Sequence, residues 1–142
     1  MQEQNLKNHI RLVKGYHGLT FLLILALLVG SFVNLCHSAK ENLYSASLIC
    51  VTSVIFVLLF WFIRAFALKA QDRAIRAEES LRYFILTGSA LPKQLRLSQI
   101  IALRFAEDAE FIELVKKAID GKLSVKEIKL SIKNWKADYN RV

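Results

Sequence analysis

The sequence predicts an all-α protein: a transmembrane helical hairpin whose second span continues into a cytoplasmic stalk and then a small C-terminal helical module. Three observations carry that prediction. Gly15–Ala39 and Asn42–Ile63 contain no Asp, Glu, Lys or Arg, and each window exceeds the roughly 20 residues a spanning helix needs. No Pro or Gly interrupts Leu43–Thr87, so the second span should run on as one helix of about 44 residues, roughly 66 Å at 1.5 Å per residue. Beyond Gly88, apolar residues recur at i, i+3, i+4 and i+7, the pattern of short helices around a shared core.

The boundaries follow from these windows. An amphipathic interfacial segment is expected over 1–17, a hairpin over 18–63 with spans at 18–37 and 43–63, a charged stalk over 64–88, and a helical module over 89–142. The net charge of +8 is distributed unevenly. Lys7, Arg11 and Lys14 precede the first span, against Glu3, whereas Lys40 and Glu41 leave the turn neutral. After Ile63 come 16 Lys and Arg against 10 Asp and Glu, with Arg64, Lys69, Arg73, Arg76 and Arg82 nearest the span. Basic flanks stay on the cytoplasmic side, so both termini are expected in the cytoplasm and only the turn outside. A cleaved signal peptide competes for the first span, but His37-Ser38-Ala39 lacks the small residue at −3 that such a site uses.

In the N-terminal segment Leu6, Ile10, Val13 and His17 share a face, with Lys7, Arg11 and Lys14 off it, as in a helix lying in the membrane interface. Tyr16, His17 and Trp61 belong at the headgroup level. His17 as a metal ligand would need a partner, and His37 lies at the opposite membrane face; His9 has none either. Within the spans Ala26, Gly30 and Asn34 step along one helix, and Ala46, Cys50 and Ser53 along the other. Small faces let backbones approach in lipid, which makes these six the expected hairpin seam. Cys36 and Cys50 fall out of register for a disulfide and are expected to be free. Asn34, the one amide in the spans, is expected to hydrogen-bond a neighbouring helix, and with no charged residue in the membrane a proton relay is disfavoured.

The stalk carries a heptad stripe of Ala67, Ala70, Ala74, Ala77, Leu81 and Phe84, expected to pack closely on another helix of this chain or on a second copy. Asp72–Arg76, Glu78–Arg82 and Arg76–Glu79 are spaced as helical ion pairs. Leu86–Leu97, with Gly88 and Pro92, breaks the helix. In the module Ser98 should cap a helix over QIIALRFA. Asp108 opens another whose inner face is Phe111, Leu114, Val115, Ala118 and Ile119, ending at Gly121. The last helix begins with a capping box of Ser124 and Glu127, with Leu123 and Ile128 as the hydrophobic staple. Its inner face should be Val125, Ile128, Ile132, Trp135 and Tyr139, with Lys126, Lys129, Lys133 and Lys136 outside. Some 45 residues make a thin core, so the module is expected to pack on the stalk.

No catalytic constellation is present: there is no nucleotide-binding Gly-rich loop, HExxH, CxxC or recognisable nucleophile motif. Glu107, Asp108, Glu110 and Glu113 cluster where the helix dipole favours acids. No catalytic residue, cofactor or metal is therefore expected, and an enzyme is disfavoured. The short helices and their lysines resemble a DNA-binding helix-turn-helix only superficially, since base-reading Arg, Asn and Gln residues are sparse there.

The runs QNLKNHIRLVKGYH, FALKAQDRAIRAEESLR, QIIALRFA and IKNWKADYNRV resemble, in order and over essentially the whole chain, an uncharacterised bacterial family of two-span inner-membrane proteins, a domain of unknown function. The resemblance implies a bacterial inner-membrane protein of this layout and carries no activity, cofactor or catalytic residue with it. The expected function is a non-catalytic membrane-anchored adaptor or accessory subunit. Its partners would be the lipid bilayer and a larger membrane or cytoplasmic protein complex, with self-association a further expectation. Arg73, Arg76 and Arg82 with Asp72, Glu78 and Glu79 are the expected contact surface for partner or lipid. The alternative is a membrane-tethered regulator whose basic head binds nucleic acid or anionic lipid.

Overall fold

The computed structural model describes residues 13–138, and among them the fold is all-α, with the isolated bridge between Ala106 and Trp135 as its one extended pairing. Leu6, Ile10 and His9 of the N-terminal segment, and Tyr139 of the last one, lie outside the described residues. The chain divides between Ala67 and Leu68 into two compact units.

In the first unit a π-helical turn, Lys14–Thr20, leads into α1, Phe21–His37. Ser38 and Ala39 are extended, and a 3-10 turn at Lys40–Asn42 opens α2, Leu43–Thr87. Small residues let the two helices meet. Ser31 is buried on α1, flanked by half-buried Ile24, Leu28 and Leu35, and Ala46, Cys50 and Ser53 are buried on α2. The Ser31 and Ser53 hydroxyls stand 2.9 Å apart, and each reaches a carbonyl three residues back, of Leu28 and Cys50. Such back-bonding keeps the hydroxyls satisfied away from water.

The first-span half of the expected seam is displaced. Ala26, Gly30 and Asn34 are exposed, and a Cβ built on Gly30 would meet nothing within 4 Å. The extended Ser38–Ala39 step and the 3-10 turn move the centre of the hairpin from Lys40 to Asn42, so Ser31 rather than Ala26 meets Ser53. Cys36 is exposed, Cys50 is buried, and both are free. At the other end Tyr16 stacks on Phe60 at 4.3 Å and its hydroxyl donates to the Phe60 carbonyl. That contact joins the π-helical turn to α2. Of the most apolar window in each helix, only 6 % and 17 % is buried, and both helices are long and apolar enough to cross a membrane.

The second unit starts on the C-terminal half of α2. Gly88, at φ +70°, ends that helix and donates its N–H to the Phe84 carbonyl. A left-handed residue is what a helix stop requires, and glycine adopts it without a Cβ penalty. A turn at Pro92 leads to α3 (Leu97–Leu103), α4 (Asp108–Asp120) and α5 (Val125–Ser131). Their core joins Leu103, Phe105, Phe111, Val115, Ala118 and Ile128, with Tyr83 of α2 packed against it.

Two local expectations are corrected. Ser98 lies inside α3; Gln99 accepts from the Arg96 N–H and donates to the Leu123 carbonyl, so one buried amide starts α3 and ties it to the loop before α5. The helix α5 stops at Ser131, where the Glu110 carboxylate takes the N–H groups of Lys133 and Asn134 at 3.1 and 3.0 Å and the Glu107 N–H bonds to the Asn134 carbonyl. The chain then runs extended, Lys136 donates to the Phe105 carbonyl, and Trp135 packs on the Phe105 ring at 5.0 Å. The Ser124–Glu127 capping box is present, with both reciprocal hydrogen bonds.

Candidate functional site: the two faces of the C-terminal half of α2

Residues of a helix separated by two positions point about 200° apart, and α2 uses this to divide its C-terminal half into two unlike sides. Ile75 and Glu79 are buried, and Arg82 and Tyr83 half-buried, on the side that carries the core. Ala77, Leu81 and Phe84, each two residues after a packed one, are exposed on the other side, as are Ala70 and Ala74. The alanine stripe is therefore not the surface on which the module packs; Ala67 alone of its six members is half-buried. Apolar area alone does not explain the choice of face, since the exposed side also carries Leu81, Phe84 and Ile85. The packed side adds the polar contacts of Glu79 and Arg82 to Ile75 and Tyr83.

Arg82 is the polar centre of the packed side. Its Nε donates to Asp108 at 2.6 Å, Nη1 to Glu79 at 3.1 Å and Nη2 to the Ala106 carbonyl at 2.7 Å, while the guanidinium carbon lies 4.2 Å above the Phe111 ring. A planar fork with five donors is suited to this many acceptors at once. The expected Glu78–Arg82 and Arg76–Glu79 pairs are replaced by these contacts, and Asp72 and Arg76 form no ion pair among the described residues. Arg82 and Glu79 therefore act inside the fold. Arg73, Arg76 and Glu78 are exposed and Asp72 is half-exposed.

Burial raises the Glu79 carboxyl pKa above its ordinary value of 4.5, and the Arg82 charge and hydrogen bond oppose that shift. The Glu127 carboxyl is held below 4.5 by hydrogen bonds from Ser124, first from its backbone N–H and then from its side chain. A groove of about 360 Å³ lies beside the Arg82 contacts, lined by Glu78, Glu79, Leu81, Ile85, Asp108 and Lys136 among others. Its mixed charge and open form suit a contact surface better than an enclosed ligand pocket. Among the described residues no group of three or more His, Cys, Asp and Glu side chains is placed to hold a metal ion.

Asp108 and Glu110, which the sequence places together as helix-start acids, have separate tasks: one meets Arg82, and the other holds the extended segment after α5. Separations of 23 to 26 residues leave no periodic signal for such contacts. The packed face did carry one, since Leu68, Ile75 and Tyr83 form a second apolar row.

No curated protein and no solved structure matches the chain. A family model spans residues 1–142, and the chain belongs to that family, the family of unknown function DUF6526.

Proposed function

We propose that this is a membrane-anchored, non-catalytic adaptor or accessory subunit that presents its C-terminal helical module to a protein partner. The observation that carries the proposal is the construction of α2. One uninterrupted helix contributes an exposed apolar half to the first unit and a charged, core-bearing half to the second. An apolar surface of that extent is a solvent match for lipid, not water.

The orientation follows from charge. Lys14 stands before α1, and Arg64, Lys69, Arg73 and Arg76 follow the apolar part of α2, while the connecting turn is neutral overall. By the positive-inside rule both termini lie in the cytoplasm. The sequence resemblance to two-span inner-membrane proteins supports the bacterial inner membrane as the location. The module's exposed lysines and open grooves then face the cytoplasm as a contact surface.

Lysine crosslinking of the tagged full chain in native membranes, read by mass spectrometry, tests this. The expected result is one recurrent partner attached to lysines of α4 and α5, such as Lys117 and Lys126. Recovery of nucleic acid or anionic lipid with the chain, and of no crosslinked protein, would overturn it in favour of a tethered regulator.

A further inference from the structure

The outer face of α2 is apolar where it should be polar. Leu81, Phe84 and Ile85 are 60, 55 and 72 % exposed there, and the stripe continues toward the first unit through Ala77, Ala74 and Ala70. The spacing alternates three and four, so Ala70, Ala77 and Phe84 occupy d positions of a heptad and Ala74 and Leu81 occupy a positions. A stripe wound on a helix at this period fits another helix that carries the same stripe.

Charge selects the partner and its direction. On this assignment Arg73 is a g residue and Glu78 the following e residue, five positions on. In a parallel, in-register pair each g side chain meets the e side chain of the next heptad across the seam, so Arg73 of each copy meets Glu78 of the other, twice by symmetry. In an antiparallel pair g meets g and e meets e, and that match is lost. Both side chains are exposed and neither forms an ion pair among the described residues. From the apolar face and this complementarity we infer that two copies of the chain associate through a parallel coiled coil of their α2 helices along Ala70–Phe84. The small alanines bring the backbones close at one end, and Leu81 and Phe84 supply the buried apolar area at the other. The α3–α5 module packs on the side of each helix that carries Glu79, Arg82 and Tyr83, which leaves its exposed α4 and α5 lysines, such as Lys117 and Lys126, open to a different contact. This is independent of the adaptor proposal, since the charges alone set the direction.

Disulfide trapping with the full chain in membranes tests the inference. In a background where Cys36 and Cys50 are replaced by Ser, Ala74→Cys, Ala77→Cys and Leu81→Cys should give oxidised dimers, and Arg76→Cys, off the seam, should not. Adding Arg73→Glu to Ala77→Cys makes both symmetric pairs repulsive and should lower the dimer constant about tenfold. Adding Glu78→Arg as well should restore it. Three outcomes overturn the proposal: no dimer at any seam position, equal trapping at Arg76→Cys, or seam cysteines that trap another protein instead. Loss with Arg73→Glu that Glu78→Arg does not restore would overturn the parallel register.

Discussion

The Arg82 guanidinium lies 4.2 Å over the centroid of Phe111, so the cation that fastens α2 to the module rests on the module's own core. Its charge is met at the rim by Asp108 and Glu79, and its flat face is covered by an aromatic ring. Attraction to a ring adds about 0.5–2 kcal/mol, depending on how far water is excluded. A lysine in the same place would keep the charge but lose the fork.

Arg82→Ala should therefore destabilise the second unit by about 2–4 kcal/mol, the cost of leaving partly buried acceptors and the Glu79 charge uncompensated, discounted because Asp108 is largely exposed. Arg82→Lys should recover less than half of that. Hydrogen exchange of α3 and α4 in the full chain measures both, and wild-type protection in Arg82→Ala would refute the role given to Arg82.

Glu79 gives the same region a pH dependence of known sign. Its folded pKa is raised, so the folded state binds the proton more readily than the unfolded one. The associated stability is present at pH below the ordinary 4.5 and is lost as pH rises through the folded value. Glu79→Gln removes the titrating group, so its stability relative to wild type should climb as pH increases above 4.5 and then level off. Melting curves of both proteins across pH 4 to 8 check this, at roughly the span over which carboxylate linkage acts. A constant difference, or one that shrinks with rising pH, would count against the buried carboxylate.

How far the sequence led depended on the range of the signal. Local chemistry was legible: the missing Pro and Gly marked α2 from Leu43, Gly88 marked its stop, and Ser124 with Glu127 marked the start of α5. Face selection was not. Alanine spacing marked a genuine stripe, but spacing alone does not say which of two stripes meets the core, and Tyr83 meets it beside the Arg82 contacts to Asp108 and Ala106, which no spacing announces. The hairpin seam failed by one turn of register, because two extended residues at Ser38 and Ala39 have no signature strong enough to count. Contacts such as Arg82–Asp108 join distant segments and were out of reach of any pattern.

The displaced seam makes a prediction that separates the two registers. Ser53 is fully buried against Ser31, whereas the site at Gly30 is open. Ser53→Leu should force the helices apart and cost about 1–3 kcal/mol by overpacking, and Ser53→Ala about 1 kcal/mol through the lost hydrogen bond. Gly30→Leu should leave the hairpin nearly unchanged. Resistance to denaturing detergent, followed by gel mobility, ranks the three. If Gly30→Leu were the most disruptive, the seam would belong on Ala26, Gly30 and Asn34 after all.

Glu110 terminates the fold's last helix from a distance. Its two carboxylate oxygens take the N–H groups of Lys133 and Asn134, which a continuing α5 would have bonded to its own carbonyls. Nothing in Ile132-Lys133-Asn134-Trp135 forbids helix; the Glu110 carboxylate, the Glu107 N–H on the Asn134 carbonyl and the Lys136 N–H on the Phe105 carbonyl hold it extended together. Glu110→Ala should release the segment at a cost of about 1–2 kcal/mol. The Lys136 bond to the Phe105 carbonyl and the Trp135–Phe105 contact should then loosen together. Trp135 reports on this directly, provided Trp61 is first replaced by Phe. Its emission should shift to the red in Glu110→Ala and much less in Glu110→Gln, whose amide oxygen still accepts one N–H. An unshifted spectrum in Glu110→Ala would mean that Trp135 is held by its packing on Phe105 and that the carboxylate is dispensable.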